Sequence, residues 1–136
     1  MKHIALVAVI LCALASFGAI DSTVRKEVPY SIPSASSQTA TAAAATAVTV
    51  TIAAPTGGLS NVIDGIAWSY SAAPTGGHIS VKDGSTVVFE ADITAAGAGY
   101  LPVVRRGSPN GAMTVVLASG AGSVVGFCNV AHVWSE

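Results

Sequence analysis

The chain has 136 residues, of which 51% are hydrophobic, 6% aromatic and only 10% charged. Six Lys and Arg against seven Asp and Glu leave a formal net charge of −1, so the chain lacks the clustered cations that a nucleic-acid binder needs. The apolar fraction is too high for a wholly disordered chain, and two cysteines, Cys12 and Cys128, are too few for a disulfide-stapled miniprotein or a cysteine zinc site.

Residues 1–20 stand apart. Lys2 and His3 precede an apolar and small-residue run from Ile4 to Ala15, followed by Ser16-Phe17-Gly18-Ala19-Ile20. A basic start, an apolar stretch and small residues near its end predict a hydrophobic N-terminal helix of secretory-signal type. Ala13-Leu14-Ala15 and Ser16-Phe17-Gly18 both offer small residues for cleavage. An uncleaved membrane anchor is the alternative, because Ile4 to Ile20 is at the short limit for a spanning helix. A hydrophobic arm that packs on a partner is a third. Residues 21–47 read as a linker. Pro29 and Pro33 forbid a long helix, and Ser34 to Ala47 is low in complexity, with no large apolar side chain to build a core.

From Val48 onward, short runs of Val, Ile and Thr alternate with Gly, Pro, Asn and Asp, which is the pattern of strands and turns. Val48-Thr49-Val50-Thr51-Ile52 has period two, with Val48, Val50 and Ile52 on one face. Ile66, Trp68 and Tyr70 share a face in the next run. His78 to Lys82 buries Ile79 and Val81, and Asp83-Gly84 is a tight-turn pair. Ser85 to Ile93 returns with Val87, Phe89, Ala91 and Ile93 inward and Glu90 and Asp92 outward. Leu101 to Arg105 is a short strand, Ser108-Pro109-Asn110-Gly111 a turn, and Ala112 to Ala118 a central strand. Ser123 to Trp134 is the longest. Val124, Cys128, Val130 and Trp134 lie on one of its faces, and Val125, Phe127 and Val133 on the other. A strand apolar on both faces is either covered twice or lies at a subunit contact.

Residues 48–136 therefore form one domain. The expected fold is all-β, an antiparallel β-sandwich or jelly roll of about seven or eight strands, with Trp68, Val81, Phe89 and Val115 in its core. Ala53-Ala54-Pro55-Thr56-Gly57-Gly58 recurs as Ala72-Ala73-Pro74-Thr75-Gly76-Gly77. Each copy follows a strand, with Pro and Gly placed for a turn, and two copies do not make a solenoid.

The chemistry is sparse. Glu90 and Asp92 share a strand face, but that face is the solvent side, so solvation is their expected role. His78 starts a strand. His132 lies four residues from Cys128, about 13 Å along a strand and too far for a thiolate–imidazole contact. No nucleophile elbow, Walker loop or dinucleotide fingerprint appears. Arg105-Arg106 is a basic doublet that reads as a wet loop end, or as a grip on an acidic partner. Trp68, Tyr70, Tyr100 and Trp134 offer a sugar-stacking platform, but Trp68 and Tyr70 share the parity of Ile66, which favours core packing. No catalytic residue, metal ligand or cofactor is expected, and the chain reads as non-enzymatic.

The run from Ile66 through Trp68, Tyr70 and Pro74 to Gly77 resembles a family of small tailed-phage and prophage proteins. The stretches Ile79 to Gly84, Val88 to Gly97 and Tyr100-Leu101-Pro102 resemble the same family, as does the closing Val130 to Glu136. That resemblance covers residues 48–136 and implies a virion-associated β-sandwich or jelly-roll protein. It implies a decoration, fibre or capsid-associated component, partnered by copies of itself and by other virion proteins, and located in the virion. The alternative is an exported cell-surface or periplasmic binding module, secreted or membrane-anchored, with membrane contact through residues 4–20 alone. The expected assembly is a homo-oligomer, with a trimer as the expected symmetry. Its candidate interface is Val125, Phe127 and Val133, with Arg105 and Arg106. No nucleic-acid partner is expected.

Overall fold

The structure is a computed structural model, and the residues it describes are 36–136. The expected signal, anchor or packing helix, and the linker as far as residue 35, lie outside the described residues. Nine strands follow in chain order: β1 (Ser36–Thr41), β2 (Val48–Ile52), β3 (Ser60–Tyr70), β4 (His78–Asp83), β5 (Thr86–Asp92), β6 (Gly97–Leu101), β7 (Arg105–Pro109), β8 (Met113–Leu117) and β9 (Gly126–Ser135). Among the described residues there is no helix.

The strands make two antiparallel sheets. Sheet I has the order β1-β9-β3, and the free edge of β3 is shared by β7 at Ser60–Ile63 and β6 at Ile66–Tyr70. Sheet II has the order β2-β8-β4-β5. The alternation read from the sequence puts the apolar residues of both sheets into one shared core. Sheet II contributes Val48, Val50, Ile52, Ile79, Val81, Met113, Val115 and Leu117, and sheet I contributes Ile63, Ile66, Tyr70, Cys128 and Val130. The arrangement is thus β-sandwich-like. The Tyr70 hydroxyl donates to the Ala118 carbonyl, which ties β3 of one sheet to the end of β8 in the other.

The strand count exceeds the expected seven or eight for two reasons. First, β1 lies inside the segment that reads as linker. Its side chains are small and polar, so it has no hydrophobic pattern. It is held by backbone pairing with β9, from Ser36 opposite His132 to Thr41 opposite Phe127, and by packing of Ala40 and Ala42 against the core. The β domain therefore begins before Val48. Second, the expected strand from Leu101 to Arg105 is instead the junction between β6 and β7. β7 runs on through Pro109, an edge position where the missing N–H costs nothing.

Three smaller corrections have local causes. The tight turn between β4 and β5 uses Gly84-Ser85 and not Asp83-Gly84, because Asp83 still pairs with Thr86 and only Gly84 has positive φ. Slippage of register between Val81 and Lys82 puts Val87 opposite Lys82, so Val87 faces solvent while Phe89, Ala91 and Ile93 keep the inward side. The last strand starts at Gly126. Trp134 keeps the parity of Cys128 and Val130, yet it is exposed at the strand's far end. Val81 and Val115 are fully buried as expected, whereas Trp68 and Phe89 are half-buried and pack at the margin of the core.

Candidate functional site

The outer face of sheet I combines apolar side chains from three strands. Val62 on β3 stands directly between Arg106 on β7 and Val133 on β9. Ala67 stands between Tyr100 on β6 and Asn129 on β9, and Ser69 between Ala98 and Phe127. The Asn129 amide donates to the Thr39 hydroxyl on β1, 2.9 Å away, which continues that row across the sheet. Phe127 and Val133 are six positions apart on β9, about 20 Å, with Tyr100 beside the middle of that span. Tyr100 is 61% exposed. Its ring lies over Gly65, where β3 slips register against β9, and a Cβ at Gly65 would overlap the ring and hydroxyl. The missing side chain therefore lets the aromatic ring lie flat across the sheet.

Of the expected interface residues, Phe127, Val133 and Arg106 share this face. Val125 is exposed just before β9, where its backbone exchanges hydrogen bonds with Ser71. Arg105 does not join them. It has the parity of Ile63, which points it toward the gap between the sheets. Its Nε donates to the Val88 carbonyl at 3.2 Å, its Nη1 donates to the Val104 carbonyl at 2.8 Å, and its guanidinium lies 5.4 Å from the Phe89 ring centroid. Arg105 thus bridges β7 of sheet I to the edge strand β5 of sheet II, a structural role that the reading as a wet loop end misses.

The outer face of sheet II is polar and carries the one close grouping of charges in the described residues. His78 Nδ1 is 3.1 Å from Asp92 Oδ1, and Nε2 is 3.5 Å from Glu90 Oε1. The Asp92 hydrogen bond, reinforced by Glu90, raises the His78 pKa above its ordinary value, so the ring favours the imidazolium that donates to both carboxylates. Both ring nitrogens are engaged, and all three groups sit on an open strand surface. Among the described residues no group of three or more His, Cys, Asp and Glu side chains is arranged to hold a metal ion. His132 and Cys128 both point inward from β9. Burial pushes the Cys128 thiol up to about 11, which keeps it neutral and a poor nucleophile.

Four residues with defined roles escape the sequence reading. Asn61 is fully buried, and its Nδ2 donates to the carbonyls of Ala53 at 2.9 Å and Gly111 at 3.0 Å. Asp83 Oδ2 accepts from the Ser108 amide at 2.8 Å and the Ser108 hydroxyl at 2.6 Å. Asn110, at φ 54°, accepts from the Gly58 amide at 2.9 Å. Together these three tie the loops at one end of the domain. Tyr100, the fourth, caps Gly65. The available signal for Asn110-Gly111 was its turn composition, but for Asn61 and Asp83 nothing in the local pattern marks a long-range partner.

No protein-family model matches the chain, and no curated protein matches it. Among solved structures, it is similar to a protein of Bacillus endospore appendages, described as "a novel family of disulfide-linked pili". The two share 18% identity over 76% of this chain and 91% of the other, with a TM-score of 0.37, a level at which neither fold nor function transfers.

Proposed function

We propose that this protein is a non-enzymatic structural subunit that assembles with copies of itself through the outer face of sheet I. The observation that carries this reading is the band of Val62, Phe127, Val133, Ala67 and Tyr100 on a sheet face that the domain's own core does not use. Apolar side chains grouped on one face favour removal from water by a partner surface. A small domain also buries a modest share of its own surface, so association adds stability.

The finer reading is a jelly-roll module in a phage particle. With β6 and β7 counted as one interrupted strand, the orders β1-β9-β3-β6/β7 and β2-β8-β4-β5 are those of two nested Greek keys. The resemblance of residues 48–136 to small phage and prophage proteins favours a decoration, fibre or capsid-associated role, and a closed trimer is the expected assembly. The second reading is an exported surface module. It is favoured by Lys2 and His3 followed by the apolar run from Ile4.

Light scattering of the full chain tests the shared claim. The wild type is expected as an oligomer of defined mass, and Phe127→Asp as a folded monomer, because an unpaired charge in the contact opposes association. A folded wild-type monomer at high concentration overturns self-assembly. Mass spectrometry of purified phage particles separates the finer readings. The virion reading expects the chain there with Met1 intact or a trimmed N-terminus. Recovery from the extracellular fraction alone supports export.

A further inference from the structure

His132 sits where an acid-sensitive seam can form. It is 4% exposed on the inward side of β9, and neither ring nitrogen has a hydrogen-bond partner among the described residues. Its neighbours in register are Ile63 on β3 and Ser36 on β1. The side chains facing inward around it are Gln38 on β1, Asn61 on β3, Val130 and Trp134 on β9, and, from sheet II, Val50 and Ile52 on β2 and Met113 and Val115 on β8. None of these titrates. Cys128, on the same face of β9, is held neutral by burial.

Among the described residues no carboxylate is paired with His132. Asp83 on β4 is engaged by Ser108, and Asp64 and Glu136 are exposed. The nearest cationic strand is β7, where Arg105 pairs with Ile63 on the side of β3 away from His132, roughly 10 Å across two strand spacings. An imidazolium at this position is buried and, among the described residues, unpaired, an arrangement that burial strongly disfavours.

We propose that His132 makes the contact between β1 and β9 acid-labile, so that its protonation releases β1 from the edge of sheet I while the remaining core stays closed. β1 is the element that yields because, among the described residues, it is paired on one side only. Apart from its backbone pairing and the Asn129–Thr39 hydrogen bond, it contributes Ala40 and the adjoining Ala42 to the core. On its other side His132 faces β3, where hydrating the ring would expose the fully buried Ile63. Burial lowers the His132 pKa, which sets the direction of the response. The closed seam is favoured above the ordinary histidine value near 6.5. That preference is lost as pH falls through this value toward the lower pKa of the closed form. The inference stands apart from self-assembly and holds for a single chain.

The test is hydrogen exchange on the full chain between pH 7.5 and 4.5, with protection factors corrected for the intrinsic pH dependence of exchange. Amides of residues 36–41 are expected to lose protection on acidification, by about tenfold for each unit separating the closed and open pKa values. Amides of β2, β4 and β8 keep theirs. His132→Gln, which stays neutral, abolishes the response. Unchanged protection in β1, equal loss across both sheets, or a response that survives in the variant overturns the proposal. If the variant does not fold, the wild-type His132 ring signals decide. A titration midpoint below 6.5 that coincides with the loss of β1 protection supports the proposal, and titration at the ordinary value with β1 still protected overturns it.

Discussion

Replacing Asn61 with Ala removes the one side chain that joins three chain segments at the Ala53 end of the domain. The Asn61 amide donates two hydrogen bonds, to Ala53 after β2 and to Gly111 before β8, from a fully buried position on β3. Each net bond contributes about 1 kcal/mol, and a partly buried carbonyl left without a donor costs about 1–3 kcal/mol. The Asn61 Oδ1 has no partner among the described residues, so its removal returns part of that loss. The balance is a destabilisation of about 2–3 kcal/mol, or a fall in Tm of roughly 10–20 °C for a domain of this size. Urea unfolding followed by tryptophan fluorescence measures it, with the midpoint expected to fall by about 1–2 M at unchanged slope. Asn61→Asp is expected to be worse at neutral pH, because its carboxylate then faces two carbonyl oxygens. Acid partly restores it, since the protonated side chain donates one bond. An Asn61→Ala protein within about 0.5 kcal/mol of wild type refutes the reasoning, since that is the range of featureless surface changes.

Asp83→Ala frees the Ser108 amide and hydroxyl and is expected to cost about 1–3 kcal/mol, seen as a lowered Tm and faster exchange in residues 105–112. Gly99→Val places a side chain into the Trp68 indole and is expected to cost about 1–3 kcal/mol, with a red-shifted tryptophan emission as the indole is displaced. The His78 grouping gives a pH dependence opposite in sign to that of His132. Its raised pKa stabilises the fold below the ordinary value of 6.5, and that contribution fades as pH rises through the folded-state pKa. His78→Ala is therefore expected to change stability more at pH 5 than at pH 8, as read by denaturant titration at the two pH values.

The legible part of this fold is the part written in side-chain burial. Val48-Thr49-Val50-Thr51-Ile52 states its own inward face, and the structure buries those three apolar residues and exposes both threonines. The same holds for Met113, Val115 and Leu117 on β8. What escapes is written in backbone geometry. β1 is an edge strand of serines and threonines whose stabilisation comes from pairing with β9, so its composition is indistinguishable from a linker. The slip at Gly65 brings Ile63 and Ile66 to the same side although they are three apart, which strict alternation forbids.

The candidate site divides in the same way. Phe127 and Val133 are recognisable because β9 is apolar on both faces, and they do share the outer face. Arg105 and Arg106 look like one doublet, yet successive residues of a strand point to opposite sides. Arg106 reaches the outer face, and Arg105 clamps β5. Tyr100 escapes because its importance depends on Gly65, a residue 35 positions earlier whose missing side chain makes room for the ring.

Side-chain footprinting of the full chain, in the assembled and dissociated states separated by size, tests self-association through sheet I most directly. Tyr100, 61% exposed on the single chain, and Phe127 on the same face are expected to lose labelling on assembly, while Val87 on sheet II, 43% exposed, labels equally in both states. Equal labelling of Tyr100 and Phe127 in the two states, or protection confined to sheet II, contradicts the account.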